Sequence, residues 1–379
     1  MAAEAAPAVA AEGSATAAST RGDAEGGATR ERPADAGRDT FTFMGTGTSE
    51  GVPRVSCLTR TPVECEVCAR AALARPGTPL EAGGCRDRRG NTGAIVRRWS
   101  EEHGRHLVIL IDCGKLWWES AIELFPRLGV DRLDAVVITH GHFDAMGGLD
   151  SLRDYTRPPV MSDGDTLPVY VDDETFAVVD RSFPYLTDTG KATGGGDVPT
   201  LSFRRFRAGE PFAVAPTDVT FTPYWLQHGP PGNPLNYCNG FRVGDIAYAS
   251  DVSAVPAAAR ALFDGARTVV MDCLWLKPEA HPSHYGLEQA LEEHGRGYRA
   301  PRGAEGGAEG EGEGDFKGDE GAGAAAGGAA AGASTWLVGF NHTVSHDETE
   351  AAIVARGIDN CRLAYDGLTI DVDFADAAT

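Results

Sequence analysis

The chain has 379 residues, with 34 Lys and Arg against 55 Asp and Glu and a formal net charge of −21. At 42% hydrophobic it holds material for a sizeable core, as about two or three domains or one large α/β unit. The charge argues against a surface that grips nucleic-acid phosphates broadly, no run of about 18 apolar residues offers a membrane span, and collagen-like and small disulfide-scaffold compositions are excluded.

Residues 1–39 are rich in Ala, Gly, Ser and Thr, carry seven acidic residues, and lack both apolar periodicity and the apolar stretch of a secretory signal. They read as a disordered tail. Phe41–Met44 reads as a strand entering the glycine turn Gly45-Thr-Gly-Thr-Ser-Glu-Gly51, and a cysteine-bearing loop follows from Cys57 to Cys68. Asn91–Arg98 and Leu107–Asp112 look like paired strands, Leu116–Leu128 is amphipathic at helical spacing, and Leu133–Thr139 is a buried strand ending at His140. Leu149–Tyr155 begins a helix or turn. Further strands are expected at Leu167–Val171, Val219–Leu226, Cys238–Val243, Ile246–Ser250, Thr268–Cys273 and Trp336–Phe340, and helices at Ala257–Phe263, Leu287–His294 and Asp347–Arg356. Strands interleaved with helices indicate α/β layers. Residues 299–334 hold 12 Gly and 11 Ala with an acidic run, and read as a solvated insertion. Residues 373–379 read as a C-terminal tail.

The strongest chemical signal is Thr139-His140-Gly-His142-Phe-Asp144, placed where a buried apolar strand ends. In such a loop two imidazoles two residues apart can converge on one ion, and a nearby carboxylate can join them. Zinc-type ions take neutral imidazole nitrogens at about 2.0–2.1 Å. Three protein ligands and a water make a hydrolytic site, because the ion brings the water pKa to about 7. His228 and Asp251 also lie at strand ends, so one sheet edge could gather all of these groups. A chance or surface His-x-His is the bland alternative.

The ordered set Phe43-Met-Gly-Thr-Gly-Thr48, Ile111-Asp-Cys-Gly114, Thr139-His-Gly-His-Phe-Asp144, His228 and Ser250-Asp251 resembles the metallo-β-lactamase superfamily, and within it the PhnP-like phosphodiesterase branch. Cys65-Glu-Val-Cys68, Asn91-Thr-Gly93, Gly148-Leu-Asp-Ser-Leu-Arg153, His281-Pro-Ser-His284 and Ala364-Tyr-Asp-Gly367 support it, and the likeness spans residues 40–372. It implies a single αββα sandwich with the metal site at the sheet edges. Carried over, His140, His142 and His228 look like ligands of a first ion. Asp251 looks like the carboxylate that touches that ion and bridges to any second one, and Asp144 like a second-ion ligand and catalytic carboxylate. Asp112 looks like an outer-sphere partner of a ligand, and His284 aligns with a catalytic histidine, a general acid for the leaving oxygen. The likeness departs at two places. Ala145 stands where the motif continues to histidine, and Gly339 aligns with a later second-ion histidine. One tight Zn²⁺ is therefore expected, with a second position weak or empty and more oxygen-rich, suited to Mn²⁺. An alternative register uses His342 or His346 instead.

Cys57, Cys65 and Cys68 share one loop, with Cys65-x-x-Cys68 at chelating spacing. Three thiolates need a fourth ligand to close a tetrahedral site. The resemblance supplies His342 and implies a structural Zn²⁺; ordinary reduced thiols are the alternative. Cys113 and Cys273 read as core thiols. Arg88, Arg89 and Arg153 could meet a phosphate, though each reads more readily as a surface ion-pair residue. Gly45-Thr-Gly-Thr48 is not a dinucleotide fingerprint, since no helix with a third glycine follows.

The resulting expectation is a cytoplasmic metal-dependent hydrolase of phosphodiesterase type, using a metal-bound hydroxide on a small phosphodiester or related ester. No membrane partner is expected and nucleic acid is disfavoured; the oligomeric state is open, a homodimer included. The alternatives are an RNA-processing nuclease like tRNase Z, which the acidic core disfavours, and a metal-stabilised scaffold without turnover.

Overall fold

The computed structural model describes residues 37–75, 84–162, 164–296 and 333–374. Most of the expected tail and insertion lies outside these. Among the described residues fourteen strands form two seven-stranded sheets. One is ordered β14-β1-β2-β3-β4-β5-β6, with β1 Thr40–Gly45, β2 Gly93–Ser100, β3 Arg105–Ile111, β4 Ala135–Val137, β5 Leu167–Val171, β6 Leu201–Arg205 and β14 Thr369–Asp371. The other is ordered β13-β12-β11-β10-β9-β8-β7, with β7 Phe212–Ala213, β8 Thr220–Gln227, β9 Tyr237–Val243, β10 Ile246–Ala249, β11 Thr268–Asp272, β12 Ser334–Val338 and β13 Cys361–Leu363. Each sheet has antiparallel strands on one side (β14-β1-β2-β3 and β7-β8-β9-β10) and parallel ones on the other (β3 to β6 and β10 to β13).

Side-chain alternation explains the layering. In β3, Ile109 and Ile111 enter the cluster between the sheets with Phe41, Phe241, Tyr248 and Val270, whereas Val108 and Leu110 face the Trp117–Leu128 helix side. In β10 and β11, Ile246, Tyr248 and Val270 face inward; Ala247, Val269 and Met271 face outward, with Leu287 and Ile353 of the Leu287–Gly295 and His346–Ala355 helices. Strands covered on both faces read as continuous apolar runs, which is why the sequence pattern shows them so plainly. The result is the expected αββα sandwich.

The fold extends past the bounds expected for its tails. Asp39 is buried, bonded to Arg98 Nη1 at 2.7 Å and to the Trp99 N–H at 2.9 Å, and Arg38 pairs with Asp371. At the other end Phe374 is buried, and Ser334 already belongs to β12. Arg89 is a core residue rather than a surface one. Its guanidinium donates to the carbonyl of Val344 at 2.9 Å and pairs with Asp87.

Candidate metal centre and active site

The site collects at the ends of strands. β4 runs into Ile138-Thr139-His140; β8 runs into His228; β10 into Ser250-Asp251; β11 ends at Asp272. Ligating nitrogens of His140, His142 and His228 lie within 4.8 Å of one another, and so do ligand atoms of His228, Asp251 and His284. Three of the imidazole rings meet edge to face, with centroids 4.6 Å apart for His140 and His142, 5.1 Å for His140 and His228, and 4.9 Å for His142 and His228. Asp144 belongs to neither group. It sits near enough to feel Asp251, which together with burial, the larger cause, raises its carboxyl to about 6.

The hydrogen bonds around His140 and His228 select one tautomer each. His228 Nδ1 lies 2.6 Å from the carbonyl oxygen of Ser283, so Nδ1 carries the hydrogen and Nε2 is left as a lone pair. Thr139 donates its backbone N–H (2.8 Å) and its hydroxyl (2.8 Å) to Asp112. With its hydrogen committed to Asp112, the hydroxyl oxygen can only accept from His140 Nδ1, 2.9 Å away. His140 Nε2 is then a lone pair, buried and without a hydrogen-bond partner among the described residues. Asp112 therefore reaches the ligand through Thr139 rather than directly. Asn239 clamps the segment, its N–H and side-chain amide both donating to the Thr139 carbonyl at 2.9 Å and its amide also to Asp172 at 2.6 Å.

Burial holds the His140 ring well below the usual imidazole range and brings His228 down to about 4, so both are neutral, as ligands must be. Burial pushes the Asp251 carboxyl up, but the surrounding histidines, the charged His284 among them, outweigh it and hold it at about 2. Two buried neutral imidazoles, one of them with an unpartnered nitrogen, together with His142 and an ionised carboxylate form a donor set that fits a divalent ion.

His284 differs from the other three. Its Nδ1 lies 2.8 Å from Asp272 Oδ2, and Asp272 is fully buried. Burial pushes the imidazole down, but Asp272 outweighs it and raises the ring to about 9. Burial lifts Asp272 to about 6 against the pull of His284, so the pair is charge-separated near pH 7. A protonated ring is a proton donor, not a ligand.

Asp272 lies outside the motifs that mark the other site residues in the sequence. The signal was present: like Asp112 and Asp251, it is an aspartate closing a buried apolar strand. Cys238 begins a strand in the sequence pattern, yet its sulfur lies within 4.8 Å of ligand atoms of His140 and Asp251. Nothing in the sequence marks it.

The two positions lacking histidine have distinct local reasons. Ala145 is buried among Cys113, Met146 and Leu149 in the cluster under the Trp117–Leu128 helix. Gly339 has φ +81°, and a Cβ there would lie 2.5 Å from Asp272 Oδ1. The alternative register gains no support. His346 is buried with its Nε2 3.2 Å from Glu350, and His342 lies with the cysteines.

Cys57, Cys65, Cys68 and His342 bring four ligand atoms within 4.8 Å of one another. His342 Nδ1 is 3.5 Å from the Cys57 sulfur and 3.4 Å from that of Cys65. The Arg54 N–H donates to Cys68 at 3.4 Å, while burial first, and the neighbouring thiols after it, push Cys68 up to about 12. Without an ion Cys68 stays protonated; four convergent donors fit a tetrahedral ion that would displace its proton. Arg54 also contacts His342 Nε2 at 3.1 Å, and its pairing with Glu50 gives it a second partner should His342 change tautomer.

Residues 108–299, half of the chain, match the family model described as a β-lactamase superfamily domain, and the chain belongs to this family. With the fold and donor set, this makes it a metallo-β-lactamase superfamily member, a metal-dependent hydrolase by class. A curated octanoyltransferase of Porphyromonas gingivalis (strain ATCC BAA-308 / W83) is 29% identical over 254 residues, covering 67% of this chain and 43% of that protein. The chain thus spans less than half of that relative's length. Among solved structures, a diphosphatase from the PhnP family is similar at TM-score 0.62 and 24% identity, covering 89% of this chain and 98% of that one. Zn²⁺-bound PqqB from Methylobacterium extorquens is similar at TM-score 0.53 and 17% identity, covering 88% and 100%. Both likenesses show the fold. No helix among the described residues is long and apolar enough to cross a membrane.

Proposed function

We propose that this chain hydrolyses small phosphodiesters or closely related esters with one tightly held Zn²⁺. His140, His142, His228 and Asp251 would hold the ion, and the cysteine cluster a structural one. The ion when bound supplies a Lewis acid and a water acidic enough to act as nucleophile near neutral pH. The observation that carries the reading is the His284–Asp272 pair set against His228, ring centroids 4.8 Å apart. With Nδ1 committed to Asp272, Nε2 of His284 is the nitrogen that holds a transferable proton. It hands this proton to the leaving oxygen, and Asp272 stabilises the charged ring beforehand. Asp112 and Thr139 keep the His140 lone pair aimed into the site. A scaffold has no need of a buried, charge-separated pair beside a ligand cluster, so the dyad favours turnover.

A second ion would find Asp144 and Asp251 but no imidazole at 145 or 339, and is proposed to be weak or absent. The octanoyltransferase relative leaves acyl esters within the substrate class. The test is turnover of bis-p-nitrophenyl phosphate by the full chain loaded with Zn²⁺ or Mn²⁺, alongside elemental analysis. Expected are hydrolysis and two zinc ions per chain; a folded, metal-loaded protein inactive on phosphodiesters and on carboxylic esters alike would refute the reading.

A further inference from the structure

The hydrolytic centre leaves a neighbouring groove unused. About 180 Å³ in volume, it opens beside His142, between the Asp173–Ser182 helix and the segment after His228. Its body is apolar, with Val178 on one wall and Leu235 and Tyr237 on the other. Tyr237 is held flat against Trp225, centroids 5.3 Å apart and planes 25° from parallel. Glu174 and Arg181 lie four residues before and three after Val178, so all three share one helix face. The groove therefore carries a negative charge at one end and a positive charge at the other. Arg181 has no ion-pair partner among the described residues, whereas Asp172 is spent on the Thr175 N–H and the Asn239 amide.

The groove is fixed to the metal ligands. A Cβ on Gly141 would lie 2.9 Å from Val178 Cγ2, so only glycine lets this helix press so closely on the His140-Gly-His142 turn. The proton donor stands elsewhere: His284 packs on His228, while the groove is lined by His142. A substrate whose leaving oxygen faces His284 has the His142 flank open to its retained substituent.

We propose that this groove is the subsite for the non-leaving substituent, and that it selects a compact ring-sized apolar group with an anionic end directed at Arg181 and away from Glu174. The inference rests on the hydrolytic reading above for its orientation.

The test uses the metal-loaded full chain and p-nitrophenyl phosphodiesters whose second ester is methyl, phenyl or 4-carboxyphenyl. Expected is kcat/KM rising in that order, with phenyl over methyl by about tenfold or more. Arg181→Glu should cut the advantage of carboxyphenyl over phenyl by about fivefold. Leu235→Asp should cut the advantage of phenyl over methyl by a similar factor. Calorimetric titration with 4-carboxyphenyl phosphate, which needs no turnover, should show binding weakened by Arg181→Glu. Equal kcat/KM for the three esters in the unaltered chain, or an order untouched by Arg181→Glu, overturns the subsite while leaving hydrolysis standing. Absent turnover with Arg181-dependent binding retained removes the hydrolytic reading but keeps the subsite; loss of both removes both.

Discussion

His140, His142 and His228 arrive on the ends of buried strands, and His140 and His228 each have their second nitrogen engaged by a neighbour of the same fold. Cys57, Cys65 and Cys68 come from one loop with two short helices, and their fourth partner, His342, comes from the far end of the chain. The histidine cluster rests on the core; the cysteine cluster is backed by a small satellite of Val52, Val67 and Ala71. The first site is braced by the core strands that carry it, whereas the second joins an early loop to His342. Preorganisation suits chemistry, because ligands already aimed need no rearrangement during reaction. A donor set that joins distant stretches of chain suits stability, because the energy of binding an ion there would become folding energy.

Five substitutions would break or sharpen this contrast. The largest effect is expected from Cys65→Ser, which should release one zinc per chain and lower Tm by roughly 10 °C or more in a thermal melt. His142→Ala should also release one zinc and cut kcat/KM on the order of 10³-fold, yet move Tm by only a few degrees. Equal losses of Tm in the two variants would erase the contrast. His284→Asn should lower kcat by about a hundredfold, most for substrates with poor leaving groups. Because His284 is raised from 6.5 to about 9, its donor form is present below that value and lost as pH rises through it. The alkaline limb of a pH–rate profile should follow, and Asp272→Asn should shift that limb to lower pH. The smallest effect belongs to Asp112→Asn, which should weaken zinc binding by about 10–100-fold in a chelator competition, with the fold retained.

The sandwich was legible because its central strands are buried on both faces and because the ligands follow them at fixed places. Three strand-closing aspartates carried the same signal, but only Asp112 and Asp251 belong to the motif of the resemblance; Asp272 needed the sheet order, which sets β11 beside β10, to show its role. The edge strands β6, β7, β13 and β14 are short and partly exposed, too brief for alternation to stand out. The helix Asp173–Ser182 buries only Thr175 and Val179, so its apolar stripe is too thin to register, although Asp172 caps it through the Thr175 N–H. The groove beside His142 depends on that helix and was invisible for the same reason. Cys238 shows the limit from the other side: a thiol on a strand carries no mark of what the opposite sheet brings to it.

Gly339 bears on how such a site can change by mutation. A side chain at 339 and the carboxylate of Asp272 claim the same space, 2.5 Å apart at closest. A single substitution introducing histidine at 339 would collide with the partner of His284 before it could contribute anything. Replacing Asp272 first would strip His284 of its charge. Each one-step route toward a second imidazole here passes through an intermediate that has lost the dyad, so the two arrangements are separated by a fitness valley whose walls are steric.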